Sequence, residues 1–295
     1  MRTNRKYNAP PPSPLRRRRR TRPGKRRDGG VQPPATHGGS RKPGVPRMLA
    51  FLRAFCTTLL ACGTQTSRVD RNAQRIAAAY GFSVDIAMFS RHLMITVSDT
   101  PGGGSKTAVC TIPPGGPNFS RVAALNALGW RIVDERLSIE DAWRAFEGIM
   151  ALPSVPPLRL RLLVACANAA FCRLFEGDAV AMGLVFLATF AGFHVRQTLT
   201  SFGIDHKIVF IVSAFTASLV AAPAVVWQLG STPQTALGVS VLFLIPGIPL
   251  INAMHDILDG HVLMGIARAV QASVLIACIA IGLSLTMLIL GVWLL

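Results

Sequence analysis

Acidic side chains are scarce in this chain: 14 Asp and Glu stand against 31 Lys and Arg in 295 residues, a net charge of +17. Other absences narrow the function further. The six cysteines contain no C-x-x-C pair and no Cys/His spacing that would hold a metal, which leaves reduced, structural cysteines as the default and implies no cofactor. The glycine-rich loop PPGGPN at 113–118 lacks the Lys-Ser/Thr of a phosphate-binding P-loop, and no serine sits in nucleophile-elbow spacing. No apolar core and cleavage site follow the N-terminal arginines, so they do not read as a signal peptide. No internal repeat is visible.

The surplus charge is confined to one end. Residues 1–47 hold fifteen Lys and Arg and one acid, whereas residues 48–295 hold sixteen against thirteen, so a basic tail precedes a nearly neutral and strongly apolar protein. The tail, PPPSPLRRRRRTRPGKRRDGG in its central part, has almost nothing to bury and is expected to be disordered. It can lie on anionic membrane lipids, bind nucleic acid (the weakest of its readings), or precede a natural start at Met48.

From Leu158 onward the chain is dominated by apolar runs. Residues 208–227 and 274–295 are uncharged for twenty and twenty-two positions, long enough at 1.5 Å per residue to cross a hydrocarbon layer about 30 Å thick. Shorter runs at 158–174, 179–195 and 235–251 bring the expected transmembrane helices to about five. With the region before the first span in the cytoplasm, Arg196, Lys207 and Arg268 fall in cytoplasmic loops, as the positive-inside rule requires. The expected fold is therefore a membrane protein with a disordered basic N-terminal tail (1–47), a small cytoplasmic α+β domain (48–157) and an α-helical transmembrane bundle (158–295).

Within 48–157, residues 67–80 read as a helix capped by Thr66 or Ser67, with Val69, Ala73, Ile76 and Ala77 on one face, closed by Gly81. Residues 84–89, 93–98 and 108–112 read as strands, the last after a flexible TPGGGSK turn. Helices follow at about 120–134 and 138–150, the second opening with S-I-E-D.

The stretch FLIPGIPLINAMHDILDGH at 243–261 breaks an apolar run. Pro246 and Pro249 remove backbone donors and Gly247 loosens the chain, so the helix should break and expose polar backbone, which membranes tolerate only against protein or a watery cavity. Transporters build substrate and ion sites at such breaks. Beyond Pro249 a resumed helix places Asn252 four residues before Asp256, and His255 four before Asp259. The competing reading ends a span at PGIP and leaves the rest as a solvated loop, avoiding at least about 2.5 kcal/mol for each charge buried at mid-membrane. Asn168 and His194 read as packing or interfacial groups.

The segments TSRVDRNAQRIAAAYG (66–81), PPGGPNFSRVAALN (113–126) and PGIPLINAMHDILDGHVLMGIARAVQA (246–272) together resemble the N-terminal module of the threonine/serine exporter family, over about residues 55–290. The resemblance implies a multi-pass protein of a bacterial inner (cytoplasmic) membrane with a cytoplasmic N-terminus. It further implies a proton-coupled secondary transporter that exports threonine or serine, or a dicarboxylate such as succinate. A small membrane-protein subunit supplying the second five-helix module is the implied partner, and a higher oligomer is compatible with it. Carried onto this chain, the pathway residues are Pro246, Gly247, Pro249, Asn252, His255 and Asp256, with Ser67, Arg68 and Asp70 forming a cytoplasmic motif. His255 departs from the family, which usually has a basic residue there, and Asp70 replaces Glu. A membrane-anchored scaffold or regulatory subunit is the alternative, and a membrane-anchored hydrolase a weaker one.

Overall fold

The computed structural model describes residues 42–99, 103–153 and 155–291. The expected disorder of residues 1–41, part of the TPGGGSK turn and the last four residues of the fifth apolar run lie outside them. Residues 42–47, which the sequence groups with the tail, already touch the fold. Lys42 pairs with Asp99 and donates to the Gly81 carbonyl at 2.9 Å, and Arg47 pairs with Glu140 at 2.5 Å.

The first half is organised around a helix that the sequence reading passed over, α1 (Val45–Ala61). Its apolar positions recur every three or four residues, and Met48, Phe51, Leu52, Phe55 and Leu59 are fully buried. Each such side chain contributes about 1.5–3 kcal/mol by leaving water. Around it lie α2 (Thr66–Ala79), the antiparallel strands β1 (Phe82–Met88), β2 (His92–Asp99) and β3 (Ser105–Thr111) in that spatial order, α3 (Phe119–Asp134) and α4 (Ile139–Met150). Leu93, Ile95 and Val97 alternate inward along β2 to meet α1, while Phe51 packs edge-on against Trp143 and Phe146. The S-I-E-D start of α4 behaves as its sequence implies, since Ser138 Oγ accepts from the Asp141 N–H at 3.1 Å. Burial of the Tyr80 hydroxyl, reinforced by Glu140 and Asp141, pushes its pKa up to about 12.

The second half holds α5 (Pro157–Leu174), α6 (Ala179–Ser201), α7 (His206–Ala221), the short α8 (Pro223–Val226), α9 (Pro233–Val239), α10 (Gly247–Leu258) and α11 (Val262–Leu290). Three stretches are long and apolar enough to cross a membrane: 179–201, 206–226 and 262–290. A fourth is reached only if the bent pair 233–244 and 247–258, angled at 61°, counts as one broken span. The expectation of five is thus not met by length and composition. The helix at 157–174 carries Arg159, Arg161 and Arg173, and the run at 235–251 is two helices rather than one. The last span begins twelve residues earlier than its uncharged core, so Arg268 lies inside α11 and not in a loop.

Asp178 clasps one end of this half. As N-cap of α6 it accepts from the Ala181 N–H at 2.7 Å, and its other oxygen accepts from the N–H and hydroxyl of Ser231, in the connection before α9, at 2.6 and 3.1 Å. These backbone hydrogen bonds hold its carboxyl below the usual range. A lowered folded pKa stabilises above the unfolded value of about 3.9, and that contribution disappears as pH falls through the folded value. The thermal stability gap between the wild type and Asp178→Asn, measured in detergent, is therefore expected to be full at about pH 6 and to narrow as the pH falls below about 4. A gap independent of pH removes the clasp from the account.

Candidate functional site

The break predicted around the proline pair is present, but it falls ahead of it. Helix α9 stops at Val239, a single tight turn spans Leu242–Leu244, and Ile245 and Pro246 are extended or turn-like before α10 starts at Gly247. Pro249 then occupies the first turn of α10, where the missing N–H has no helical partner to lose. The freed end of α9 is satisfied from a neighbouring helix: Asn168 in α5 donates through Nδ2 to the Val239 carbonyl at 3.0 Å and to Thr189 Oγ1 of α6 at 2.7 Å. Asn168 is thus the packing group its sequence context indicates.

The resumed helix turns one polar face inward. Asn252 and Asp256, one turn apart, are buried, whereas His255 and Asp259 are exposed and His261 is half-buried. The two buried side chains reach the connection between α1 and α2. Asn252 Nδ2 donates to the Gly63 carbonyl at 2.7 Å. Asp256 accepts at 3.0 Å from the Thr66 N–H on one oxygen and at 3.0 Å from the Thr66 hydroxyl on the other. Arg268 completes the group: its Nη1 lies 2.8 Å from Asp256 Oδ2, an ion pair without an aligned hydrogen bond, and its Nη2 donates to the Thr64 carbonyl at 3.0 Å.

This arrangement corrects the expected cap of α2. Neither Thr66 nor Ser67 caps it; the N-cap is Gln65, whose side chain makes no capping bond, and Thr66 is the first helical residue. The acceptor for the open helix start is Asp256, 190 positions away, and a carboxylate there also meets the positive end of the helix dipole. A cap supplied from another helix leaves no local signature, which is why the sequence pointed to the neighbouring hydroxyls.

The two motifs singled out in the sequence therefore meet in space. Beside the latch is a cavity of 270 Å³ lined by Gly63, Thr64, Gln65 and Arg68 from one side and Ile248, Ile251 and Asn252 from the other, with Phe119 and Val122 between. Among the described residues Arg68 is its only charged wall. Asn252 Oδ1 accepts no hydrogen bond among the described residues. Ser67 is buried, and its hydroxyl has no hydrogen-bond partner among the described residues. Asp70 points elsewhere, accepting from Gln74 at 2.9 Å. Pro246 and Gly247 form the start of α10 rather than the cavity wall. Sequence reasoning missed Thr66 and Arg268 as partners of Asp256. Arg268 had a signal, because it is the one charged residue between 262 and 295, and a lone charge inside an apolar helix marks a functional or paired group.

A family model described as "Putative threonine/serine exporter" matches residues 50–290. The chain belongs to the threonine/serine exporter family. Among its relatives, the "Probable succinate transporter subunit YjjP" of Klebsiella aerogenes is 30% identical over 237 residues, covering 78% of this chain and 89% of the relative. The protein of the same name from Escherichia coli K12 is 28% identical over 237 residues, covering 79% and 91%. A "Probable threonine/serine exporter" of Mycobacterium tuberculosis is 25% identical over 263 residues, covering 85% of this chain but 48% of that longer relative. No solved structure matches. Family membership makes this a multi-pass membrane protein of the transporter class, and nothing in the family's description calls for catalysis.

Proposed function

We propose that the chain is the large subunit of a two-component secondary exporter, carrying a small polar metabolite, threonine or serine or a dicarboxylate such as succinate, across a bacterial inner membrane. The observation that carries this reading is the broken span whose resumed half buries Asn252, which lines a cavity, and Asp256 one turn further on. A membrane protein tolerates such a group where polar cargo or ions pass. The relatives named as subunits support a partner, and we take it to be a small membrane protein that supplies a second helical module.

In this reading α5 joins the four other membrane-embedded segments as a fifth, and residues 42–157 stand in the cytoplasm together with the N-terminus. Arg196 in the last two turns of α6, Lys207 in the first turn of α7 and Arg268 in the second turn of α11 lie toward the helix ends that this orientation turns to the cytoplasm, which supports it. Pro246, Gly247 and Pro249 keep the span open, and Asn252 Oδ1 receives a donor from the cargo. Asp256 is the proton-carrying group: a proton on either oxygen cancels the counter-charge to Arg268 and turns one acceptor of a Thr66 donor into a hydroxyl, so protonation loosens the latch. His255, on the exposed side of α10, lies on the solvent route to it. Of the cytoplasmic motif, Arg68 alone faces the cavity, while Ser67 and Asp70 belong to the first turns of α2 beside it.

Counterflow of labelled succinate and labelled threonine in proteoliposomes, with this chain alone and with its candidate partner, tests the proposal. Exchange of one solute only when both chains are present is the expected result. Asn252→Ala is expected to raise the half-saturating concentration about tenfold, the effect of losing one buried hydrogen bond to cargo, without changing protein yield. Absence of exchange from an intact complex overturns the exporter reading in favour of a scaffold.

A further inference from the structure

A second and larger cavity, of 570 Å³, lies on the far side of the same α1–α2 connection. The chain from Leu60 to Gln65 separates the two: Leu60 and Ala61 line the larger, Gly63, Thr64 and Gln65 the smaller. Helix α11 serves both, since Arg268 holds the latch while Val270, Gln271, Val274 and Leu275, up to two turns further on, form a wall of the larger cavity.

The lining of this cleft is divided in character. Leu60, Ile112, Pro113, Pro114, Val270, Val274 and Leu275 make an apolar wall, and Arg91, His206 and Lys207 make a basic one. Neither Arg91 nor Lys207 has an ion-pair partner among the described residues. The one acid present, Asp205, is committed to the backbone, accepting from the Lys207 N–H at 2.9 Å as N-cap of α7. Ser90 and Gln271 hydrogen-bond across the rim at 2.9 Å, tying the β1–β2 turn to α11 and fixing Arg91 beside the opening. Two unpaired cations that share a concave site with an apolar wall match a small molecule with anionic ends and a hydrocarbon middle. A zwitterionic amino acid would bring an ammonium group into this basic wall at a cost.

We propose that this cleft is a collecting site for small dicarboxylates, with the carboxylates on Arg91 and Lys207 and the methylenes on the α11 wall. This rests on the exporter reading: Arg91 and residues 112–115 of the lining belong to the region assigned to the cytoplasm, where an exported anion must be gathered, and Leu60 and Ala61 adjoin the segment that Asp256 and Arg268 latch.

Binding of succinate to the purified full chain, by calorimetry in detergent, tests the site without requiring transport. The wild type is expected to bind succinate and not threonine. Arg91→Gln with Lys207→Gln is expected to weaken succinate binding at least about tenfold for each charge removed, while Arg91→Lys with Lys207→Arg keeps it, which excludes misfolding as the cause. No succinate binding by the wild type, equal binding by the neutral variant, or competition by anionic lipid vesicles but not by succinate overturns the proposal, the last in favour of a lipid headgroup site. Counterflow with the partner present separates the two claims. Flux with an unchanged half-saturating succinate concentration in the neutral variant removes the cleft and keeps the exporter, whereas charge-dependent binding without flux keeps the cleft and removes the exporter.

Discussion

Asp256→Ala is expected to lower the unfolding free energy by about 3–5 kcal/mol, because it strands the mostly buried Arg268 charge and leaves the Thr66 N–H without an acceptor. In a thermal melt of the detergent-purified chain this corresponds to a fall of roughly 10 °C. Arg268→Ala is expected to be comparably damaging, since it leaves a carboxylate at 0% exposure without its counter-charge. The double variant is expected to lose clearly less than the sum, as partners in one network do. Additive losses would mean that the two side chains act separately and that no latch exists.

A stability loss of this size would by itself abolish flux, so the proton-carrying role of Asp256 needs a gentler change. Asp256→Asn retains an oxygen to accept from the Thr66 N–H and gives up the charge. If the carboxylate only caps α2, this variant exports at a reduced rate with the wild-type pH profile. If it carries the proton, the pH dependence flattens while the fold survives. The two roles are physically compatible, because the same oxygens that cap the helix are those a proton would occupy.

Local signals carried most of what could be read from the sequence, and the distant contacts were what it hid. Val84, Leu93, Ile95 and Val97 announce their strands by alternation, and Ser138 announces α4 by capping, because both depend on neighbours within a few residues. The break at Pro246 was legible for the same reason, although its placement ahead of Gly247 was not: proline fits the first helical turn, so the prolines start α10 instead of ending α9. Helix α1 lacks a start signal like that of Ser138: Phe51, Phe55 and Leu59 have helical spacing, but its N-cap is Gly44, which offers no capping side chain. The pairing of Thr66 with Asp256 could not be read at all. It depends on α10 returning to the α1–α2 connection across 190 residues, and no spacing rule reaches that far.

Gly282→Leu is the second change expected to be severe, and it tests the packing that positions α11 and hence Arg268. A Cβ on Gly282 would lie 2.5 Å from the Ile211 carbonyl oxygen and 2.9 Å from the Phe215 nitrogen, both backbone atoms of α7 that no rotamer change can move. The same crossing carries the hydrogen bond between Ser218 and Thr286 at 2.6 Å and the packing of Phe210, Ala214, Cys278 and Ile279. Between helices in lipid, where apolar surface gains nothing by association, close backbone approach and interhelical hydrogen bonds are the available glue. A leucine there must push the helices apart and forfeit both, beyond the 1–3 kcal/mol typical of a single overpacked methylene. Size-exclusion chromatography of the detergent extract is expected to show loss of the monodisperse peak. Gly183→Leu serves as the control, because a Cβ at Gly183 meets nothing within 4 Å and the same side chain is expected to leave the peak unchanged. Equal behaviour of the two variants would mean that α7 and α11 do not cross this closely, and α11 would then no longer be held where Arg268 can reach Asp256.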